Sequence, residues 1–208
     1  MDGLGVSSDG DGRRKRLKHA NRQAILEAAR SVFARTGYEA TTVRDIIRAT
    51  DFGTGTFYNY FKSKEEVFQA LSSDSVRRFG PLLRQVRESS DGFEAFVRGA
   101  YRAFFQFLSD ENSEAISGGA PHIALIGVRV DTPEMLAIFE EIRIMFEEML
   151  GGGGAPHVDS EYLAAAAIGI ARDLGDHMLL RRPVNVDEAS EFASSLLLGG
   201  LQAVLVDA

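Results

Sequence analysis

The sequence contains no cysteine among its 208 residues. This absence excludes a disulfide scaffold, thiolate metal sites and cysteine nucleophiles, and it fits a reducing cytosol. No apolar run approaches the roughly 20 residues that a membrane-spanning helix needs. Residues 1–12 lack the apolar core of a signal peptide, so we expect a cytoplasmic protein with no membrane partner.

Motifs that carry common enzymatic chemistry are also missing. The sequence contains no G-x-S-x-G elbow, Walker loop, dinucleotide fingerprint or HExxH zinc motif, and its four histidines are scattered. We therefore expect no enzymatic activity, no catalytic residues and no cofactor. A metal site formed by His122, Asp173 and His177 is a disfavoured alternative, because no second pair of ligands has metal-binding spacing.

Charge is distributed unevenly along the chain, although the formal net charge is only −7. Residues 13–64 carry 12 Lys or Arg against 4 Asp or Glu, whereas residues 65–208 carry 11 against 23. Because charges more than about 10 Å apart are largely screened at ordinary salt, phosphate binding depends on the local field. A basic head on an acidic body is typical of a DNA-binding module joined to a solubilising domain.

The N-terminal segment is predicted to be a disordered basic tail over residues 1–18, because its start is rich in Gly, Ser and Asp. Its basic residues directly precede the first helix of the head. They either remain solvated or contact phosphates or the minor groove. The basic residues of this tail are Arg13, Arg14, Lys15, Arg16 and Lys18.

The remaining chain predicts an all-α fold, since apolar residues recur at helical spacing and no stretch alternates convincingly as a strand. Residues 19–64 are predicted to be a helix-turn-helix DNA-binding domain, and residues 65–208 a helical ligand-binding and dimerisation domain. The signals within 19–64 are a helix over Asn21–Thr36 that stops at Gly37, a short helix capped by Thr42, a short segment Thr54–Tyr60, and a capping box formed by Ser63 and Glu66.

Beyond Pro81 the sequence predicts longer helices separated by Gly and Pro. Thr132 is a predicted N-cap followed by a proline at the first helical position. Residues 151–154 are all glycine and predict a flexible connection. The predicted helices are Phe93–Leu108, one or two within Asn112–Val130, Pro133–Leu150, Ser160–Arg181 and Asp187–Val206.

Two runs in the head carry a family resemblance. They are Thr42-Val-Arg-Asp-Ile-Ile and Gly55-Thr-Phe-Tyr-Asn-Tyr-Phe-Lys-Ser-Lys-Glu-Glu-Val-Phe68, and together they resemble the DNA-binding domain of the TetR family of transcriptional regulators. The resemblance covers about residues 20–70, and the rest is similar only in architecture. It implies a ligand-responsive homodimer, usually a repressor, on a near-palindromic operator in double-stranded DNA. An activator of the same fold and a helical adaptor without DNA binding are the alternatives.

The sequence departs from the family pattern at two positions. Asp51 replaces the usual Gly after the second helix, and Gly53 replaces the usual Ser before the recognition helix. Since Asp tolerates left-handed geometry and Gly adopts it freely, we expect the turn to survive. Without a Ser at position 53, Thr54 becomes the expected N-cap.

A recognition helix exposes short polar or aromatic groups to DNA while apolar groups anchor it from behind. Phe57 and Phe61 are the predicted anchors, and Gly55 permits close approach to the DNA. The resemblance implies that Asn59 reads an adenine. Lys64 lies in the first turn of the next helix, where free N–H groups attract a phosphate, and we expect its side chain to be exposed. The full predicted DNA-binding set is Thr42, Arg44, Thr54, Gly55, Thr56, Tyr58, Asn59, Tyr60 and Lys64.

The last two predicted helices are rich in small and apolar residues, which form either part of the intramolecular core or a four-helix dimer interface. The family resemblance favours the interface, and we expect Leu197 to lie in it. The aromatic helix Phe93–Leu108 predicts a cavity for a small, mostly apolar effector. Adjacent Phe104 and Phe105 point in different directions, so we expect only Phe104 to line that cavity. Asp173 and His177 either orient a polar group of the ligand or form a buried, satisfied pair. The predicted ligand-binding residues are Phe104, His122, Met145, Asp173 and His177.

Overall fold

A computed structural model of the chain describes residues 8–118, 132–151 and 158–206. Within these ranges the regular secondary structure is entirely helical, which confirms the all-α prediction. None of the helices in the described residues is long and apolar enough to cross a bilayer. The helices are α1 (Ser8–Thr36), α2 (Val43–Arg48), α3 (Thr54–Tyr58), α4 (Lys64–Ser89), α5 (Phe93–Glu111), α6 (Ser113–Gly118), α7 (Pro133–Gly151), α8 (Ser160–Leu180) and α9 (Val186–Val206).

The chain forms two compact units, Met1–Ala70 and Leu71–Ala208, and the division falls inside α4. The sequence predicts a boundary after residue 64, which is earlier in the chain than this division. In the first unit, the buried face of α1 packs with aromatic residues of the following elements. The Phe33 and Phe68 rings meet edge to face, with their centroids 5.8 Å apart. Both side chains are almost completely buried.

Helix α1 begins at Ser8, so the predicted disorder of residues 1–18 is wrong from residue 8 onward. Residues 13–20 of this helix are exposed, so tertiary burial does not hold them. Arg, Lys and Leu have high helix propensity, and they extend a helix whose later turns are anchored by buried Ile25 and Phe33. The predicted end is confirmed, because Gly37 has φ 82° and donates its N–H to the Phe33 carbonyl at 2.9 Å.

The short helices of the first unit differ from expectation in their caps. Thr42 caps α2 as predicted, with its hydroxyl accepting from the Asp45 N–H. Gly53, and not Thr54, is the N-cap of α3, and no side chain caps that helix. Gly53 has φ −76°, and within the described residues only Gly37 and Gly92 have positive φ. The turn therefore does not use the left-handed geometry that we expected of Asp51 and Gly53.

In the second unit, α5 supplies a broad buried face that contacts α8 and α9. Gly175 of α8 allows the closest approach, because a Cβ there would lie 2.6 Å from the Leu108 Cδ1 atom. Polar contacts tie α4 to its neighbours: the Glu134 carboxylate of α7 accepts from Ser73 at 2.9 Å and from Arg77 at 3.2 Å. The candidate ligand site lies in the apolar interior of this unit.

Candidate DNA-binding surface and ligand cavity

Helix α3 presents a polar face to solvent because two phenylalanines hold it from behind. Phe57 and Phe61 are 1% and 2% exposed, which confirms them as anchors, and their ring centroids lie 6.1 Å apart. The Arg22 guanidinium lies 5.1 Å from the centre of the Phe61 ring and covers it from α1. This packing fixes which side of the short helix faces outward.

The outward residues of α3 match the predicted set. Tyr58 is 53% exposed, and its ring meets the Phe57 ring edge to face. The buried phenylalanine therefore supports the ring that bears the exposed hydroxyl. A Cβ on Gly55 would meet nothing within 4 Å, which leaves room for a close partner. Thr54, Gly55 and Asn59 are also exposed, whereas Thr56 and Tyr60 are half-buried. The arrangement offers hydroxyl and amide groups to solvent.

At the start of α2, Arg44 is exposed, but the Thr42 hydroxyl is already engaged. Its oxygen lies 2.6 Å from the Asp45 carboxylate, which also accepts the Thr42 N–H at 2.9 Å. The hydrogen bonds from the Thr42 hydroxyl and backbone hold the pKa of Asp45 below its usual range. Thr42 therefore caps its helix, and Arg44 is the freer of the two predicted backbone contacts.

Lys64 is not the exposed side chain that we expected. It is half-buried, and its ammonium donates to the carbonyls of Tyr38, Glu39 and Thr41 at 2.9, 3.2 and 3.1 Å. The same Nζ atom lies 4.6 Å from the centre of the Tyr38 ring. The lysine thus binds the turn between α1 and α2, a contact between residues far apart in sequence that spacing alone does not reveal.

The second unit contains an apolar cavity of about 350 Å³. The Tyr101 hydroxyl at its wall donates to the Ala167 carbonyl at 3.1 Å, and burial raises the pKa of this tyrosine. Arg172 is the charged residue at the wall, and its Nε donates to the Asp173 carboxylate at 2.8 Å. Apolar side chains that line the cavity include Phe79, Leu83, Phe96, Val97, Phe104, Leu136, Ile138, Phe139, Ile142, Phe146, Ile168 and Leu197.

The structure separates the predicted ligand residues into three groups. Phe104 lines the cavity, and Phe105 is fully buried away from it, as we expected of this pair. Met145 is buried but does not line the cavity, because it lies about 100° around α7 from Phe146, which does. His122 lies outside the described residues.

Asp173 and His177 are exposed on α8 and do not line the cavity. Both interpretations of this pair are therefore wrong: it neither faces the cavity nor forms a buried pair. Arg172 was missing from the predicted set, although it precedes Asp173 and belongs to the cavity wall. Within the described part of the chain, no three His, Cys, Asp or Glu side chains are grouped to hold a metal ion.

Leu197 does not lie on an outer face of α9, contrary to our expectation. It is 5% exposed and lines the cavity, and Ala193 and Leu201 are buried on the same side of the helix. The opposite side is the apolar outer face: Phe192 is 60% exposed and Leu196 is 52% exposed. Neighbouring residues along a helix are separated by about 100°, so the predicted apolar stripe divides into an inner and an outer half.

Comparisons with known proteins place this geometry in context. Residues 25–71 match the family model described as "Bacterial regulatory proteins, tetR family". The transcriptional regulator TcmR of Streptomyces glaucescens is 27% identical over 171 residues, which cover 80% of this chain and 75% of that protein. The transcriptional repressor AcnR of Corynebacterium glutamicum is 37% identical over 79 residues, which cover 38% of this chain and 39% of that protein.

Solved structures share the fold. The fatty acid degradation regulator FadR from Bacillus halodurans superimposes with a TM-score of 0.67 over 87% of this chain and 96% of that one. Its sequence identity to this chain is 19%, so the likeness concerns the helical architecture. The family model therefore includes the segment that carries the exposed α3 surface, and the similarity of fold extends through the second unit.

Proposed function

Because this chain is a DNA-binding transcriptional regulator of the TetR family, and not an enzyme, we propose that it is a cytoplasmic, dimeric repressor that leaves its operator when a mostly apolar effector fills the cavity. The observation that carries the proposal is the surface of α3. The polar groups of this helix are exposed, while Phe57 and Phe61 anchor it. The helix also belongs to a basic segment of a chain whose net charge is negative. Polar side chains on a short helix are the means by which helix-turn-helix proteins read the major groove.

The residues proposed for DNA contact divide by chemistry. Arg44 and the hydroxyl groups of Thr54, Thr56, Tyr58 and Tyr60 suit phosphate contacts, which position the protein. Asn59 is exposed beside them and can pair with the adenine edge through its amide. The exposed arginines and lysines of the N-terminal part of α1 add sequence-independent attraction. Binding is therefore expected to weaken steeply as salt rises.

The proposal of DNA reading is tested by selecting binding sites from random-sequence DNA and measuring affinity by fluorescence anisotropy. A near-palindromic site is expected, because two heads of a dimer contact two half-sites. Tyr58→Ala should weaken binding about tenfold, and Asn59→Ala should reduce discrimination at one base pair by about 1–3 kcal/mol. Leu82→Ala, at an exposed position of α4, is the matched control. Unchanged affinity in a Tyr58→Ala, Asn59→Ala double variant contradicts the proposed surface.

The proposed dimer forms through the outer faces of α8 and α9. Tyr162, Phe192 and Leu196 are large apolar residues that are all more than half exposed in the single chain. Small exposed residues lie between them, including Ala166 and Gly199, and these permit close approach of paired helices. Since soluble proteins rarely leave such apolar faces uncovered, a second copy related by two-fold symmetry is the proposed partner.

The proposed effector binds in the second unit and shifts the dimer between two states. Apolar burial contributes about 25 cal/mol per Å², so a modest ligand supplies the few kcal/mol that a population shift needs. In the proposed mechanism the ligand favours a dimer whose heads no longer match successive major grooves. Expression of the regulated genes should therefore rise when the regulator is deleted. A fall in expression would instead support an activator of the same fold.

A further inference from the structure

The wall of the cavity is apolar on nearly every side, and its polar groups are not equivalent. The Tyr101 hydroxyl donates its proton to the Ala167 carbonyl, so its single donor is not available to a ligand. Arg172 is the charged side chain among the lining residues that the structure describes. Arg172 is therefore the lining residue that can offer a cation to a ligand, in a medium of low polarity where electrostatic contacts are stronger than in water.

The guanidinium of Arg172 is oriented by one hydrogen bond and has further donors that make none with the described residues. Its Nε donates to Asp173, which orients the planar group. The two terminal nitrogens have no hydrogen-bond partner among the described residues, although the side chain is only 29% exposed. Two parallel N–H groups match the two oxygens of a carboxylate. The geometry therefore leaves the part of the arginine that binds carboxylates best available to a ligand.

The acidic neighbours of Arg172 do not occupy those donors. Asp173 is 67% exposed, and an ion pair that is open to water contributes little. Asp176 lies one turn further along α8 and makes no hydrogen bond or ion pair with the described residues. Burial, with a further contribution from the charge of Asp173, raises the pKa of Asp176 to about 6. Its negative charge near the arginine is therefore reduced in mildly acidic solution.

We propose that Arg172 binds the carboxylate of the effector, and that the effector is a free monocarboxylic acid with an apolar chain or ring. This inference rests on the proposed function, since it assigns the ligand class of the same cavity. A volume of about 350 Å³ is at the small end for ligand pockets. With one cation at the wall, a polyphosphate-bearing thioester would bury charge without compensation, so the free acid is favoured.

The test compares decanoic acid with methyl decanoate, decanol and decylamine on the full-length protein, by isothermal titration calorimetry. Decanoic acid should bind at least about tenfold more tightly than its methyl ester, the range of a charge-assisted hydrogen bond. Arg172→Met should remove that difference while it retains binding of the ester, and Arg172→Lys should give an intermediate value. Arg102→Met is the control, because Arg102 is exposed and pairs with Asp187 away from the cavity.

Three results distinguish the inference from the function on which it rests. Loss of the preference for the acid in Arg172→Met, but not in Arg102→Met, supports the inference. Equal binding of acid, ester and alcohol by the unmodified protein overturns it and leaves an apolar effector intact. If neither these probes nor hexadecanoic acid with its ester binds, both the inference and the apolar effector are contradicted. Circular dichroism checks that each variant remains helical.

Discussion

Replacing Lys64 by methionine tests the contact that departs most from the sequence analysis. Methionine retains an unbranched stem but removes the ammonium, which donates to three carbonyls of the turn between α1 and α2. The Tyr38 ring also loses the cation that lies 4.6 Å from its centre. The substitution therefore removes the contacts between two segments that are more than twenty residues apart in sequence.

The magnitude follows from these contacts. A hydrogen bond to a charged group contributes about 1.5–3 kcal/mol, and a cation–π contact at a partly exposed site about 0.5–1 kcal/mol. The three hydrogen bonds share one ammonium, and water can solvate the carbonyls once it is gone, so the contributions do not add. We expect Lys64→Met to lower the free energy of unfolding of the first unit by about 2 kcal/mol.

The assay is urea unfolding followed by circular dichroism, combined with hydrogen exchange of the turn at residues 37–42. Lys62→Met is the matched control, since Lys62 is an exposed lysine nearby whose side chain makes no hydrogen bond, ion pair or ring contact with the described residues. It should leave both measurements unchanged. If Lys64→Met unfolds within about 0.5 kcal/mol of the unmodified protein but binds DNA more weakly, the ammonium serves a phosphate and the structural role is refuted.

Two further predictions concern the second unit. If the proposed dimer forms through the outer face of α9, Leu196→Glu should convert it to a folded monomer in sedimentation, whereas Leu197→Glu should unfold the second unit, because only Leu197 is buried in the single chain. A dimeric Leu196→Glu variant would place the interface elsewhere. The raised pKa of Asp176 means that the folded state binds this proton more tightly, so stability falls as pH rises from about 4 to about 6. The Asp176→Asn variant should therefore have a higher free energy of unfolding than the unmodified protein above pH 6, by on the order of 1–2 kcal/mol, and the same free energy of unfolding near pH 4. Equal melting temperatures of the two proteins at every pH would contradict this.

The predicted features that the structure confirms are those with a local cause. Thr42 caps α2 because its hydroxyl reaches an N–H three residues away, and Gly37 ends α1 because it adopts positive φ. The anchors Phe57 and Phe61 follow from their spacing on consecutive helical turns. The basic head on an acidic chain is also a property of the sequence alone. These signals were enough to predict helix order, an all-α class and the exposed polar face of α3.

Register about a helix axis was harder to predict. Met145 and Phe146 are both apolar, and only the packing of α7 decides which of them faces the cavity. Leu196 and Leu197 differ in the same way: one is exposed and the other is part of the core. A shift of one residue turns a side chain by about 100°, and an apolar stripe as wide as that of α9 is compatible with either orientation.

By itself, then, the sequence determined which segments become helices, where several of them begin and end, and which short segment exposes polar groups beside buried phenylalanines. The tertiary structure decided which apolar residues enclose the cavity, that Arg172 and not Asp173 belongs to its wall, and that Lys64 holds a turn. The physical reason is range: caps and helical periodicity act within a few residues, whereas a cavity or an ammonium among carbonyls exists only where distant segments meet.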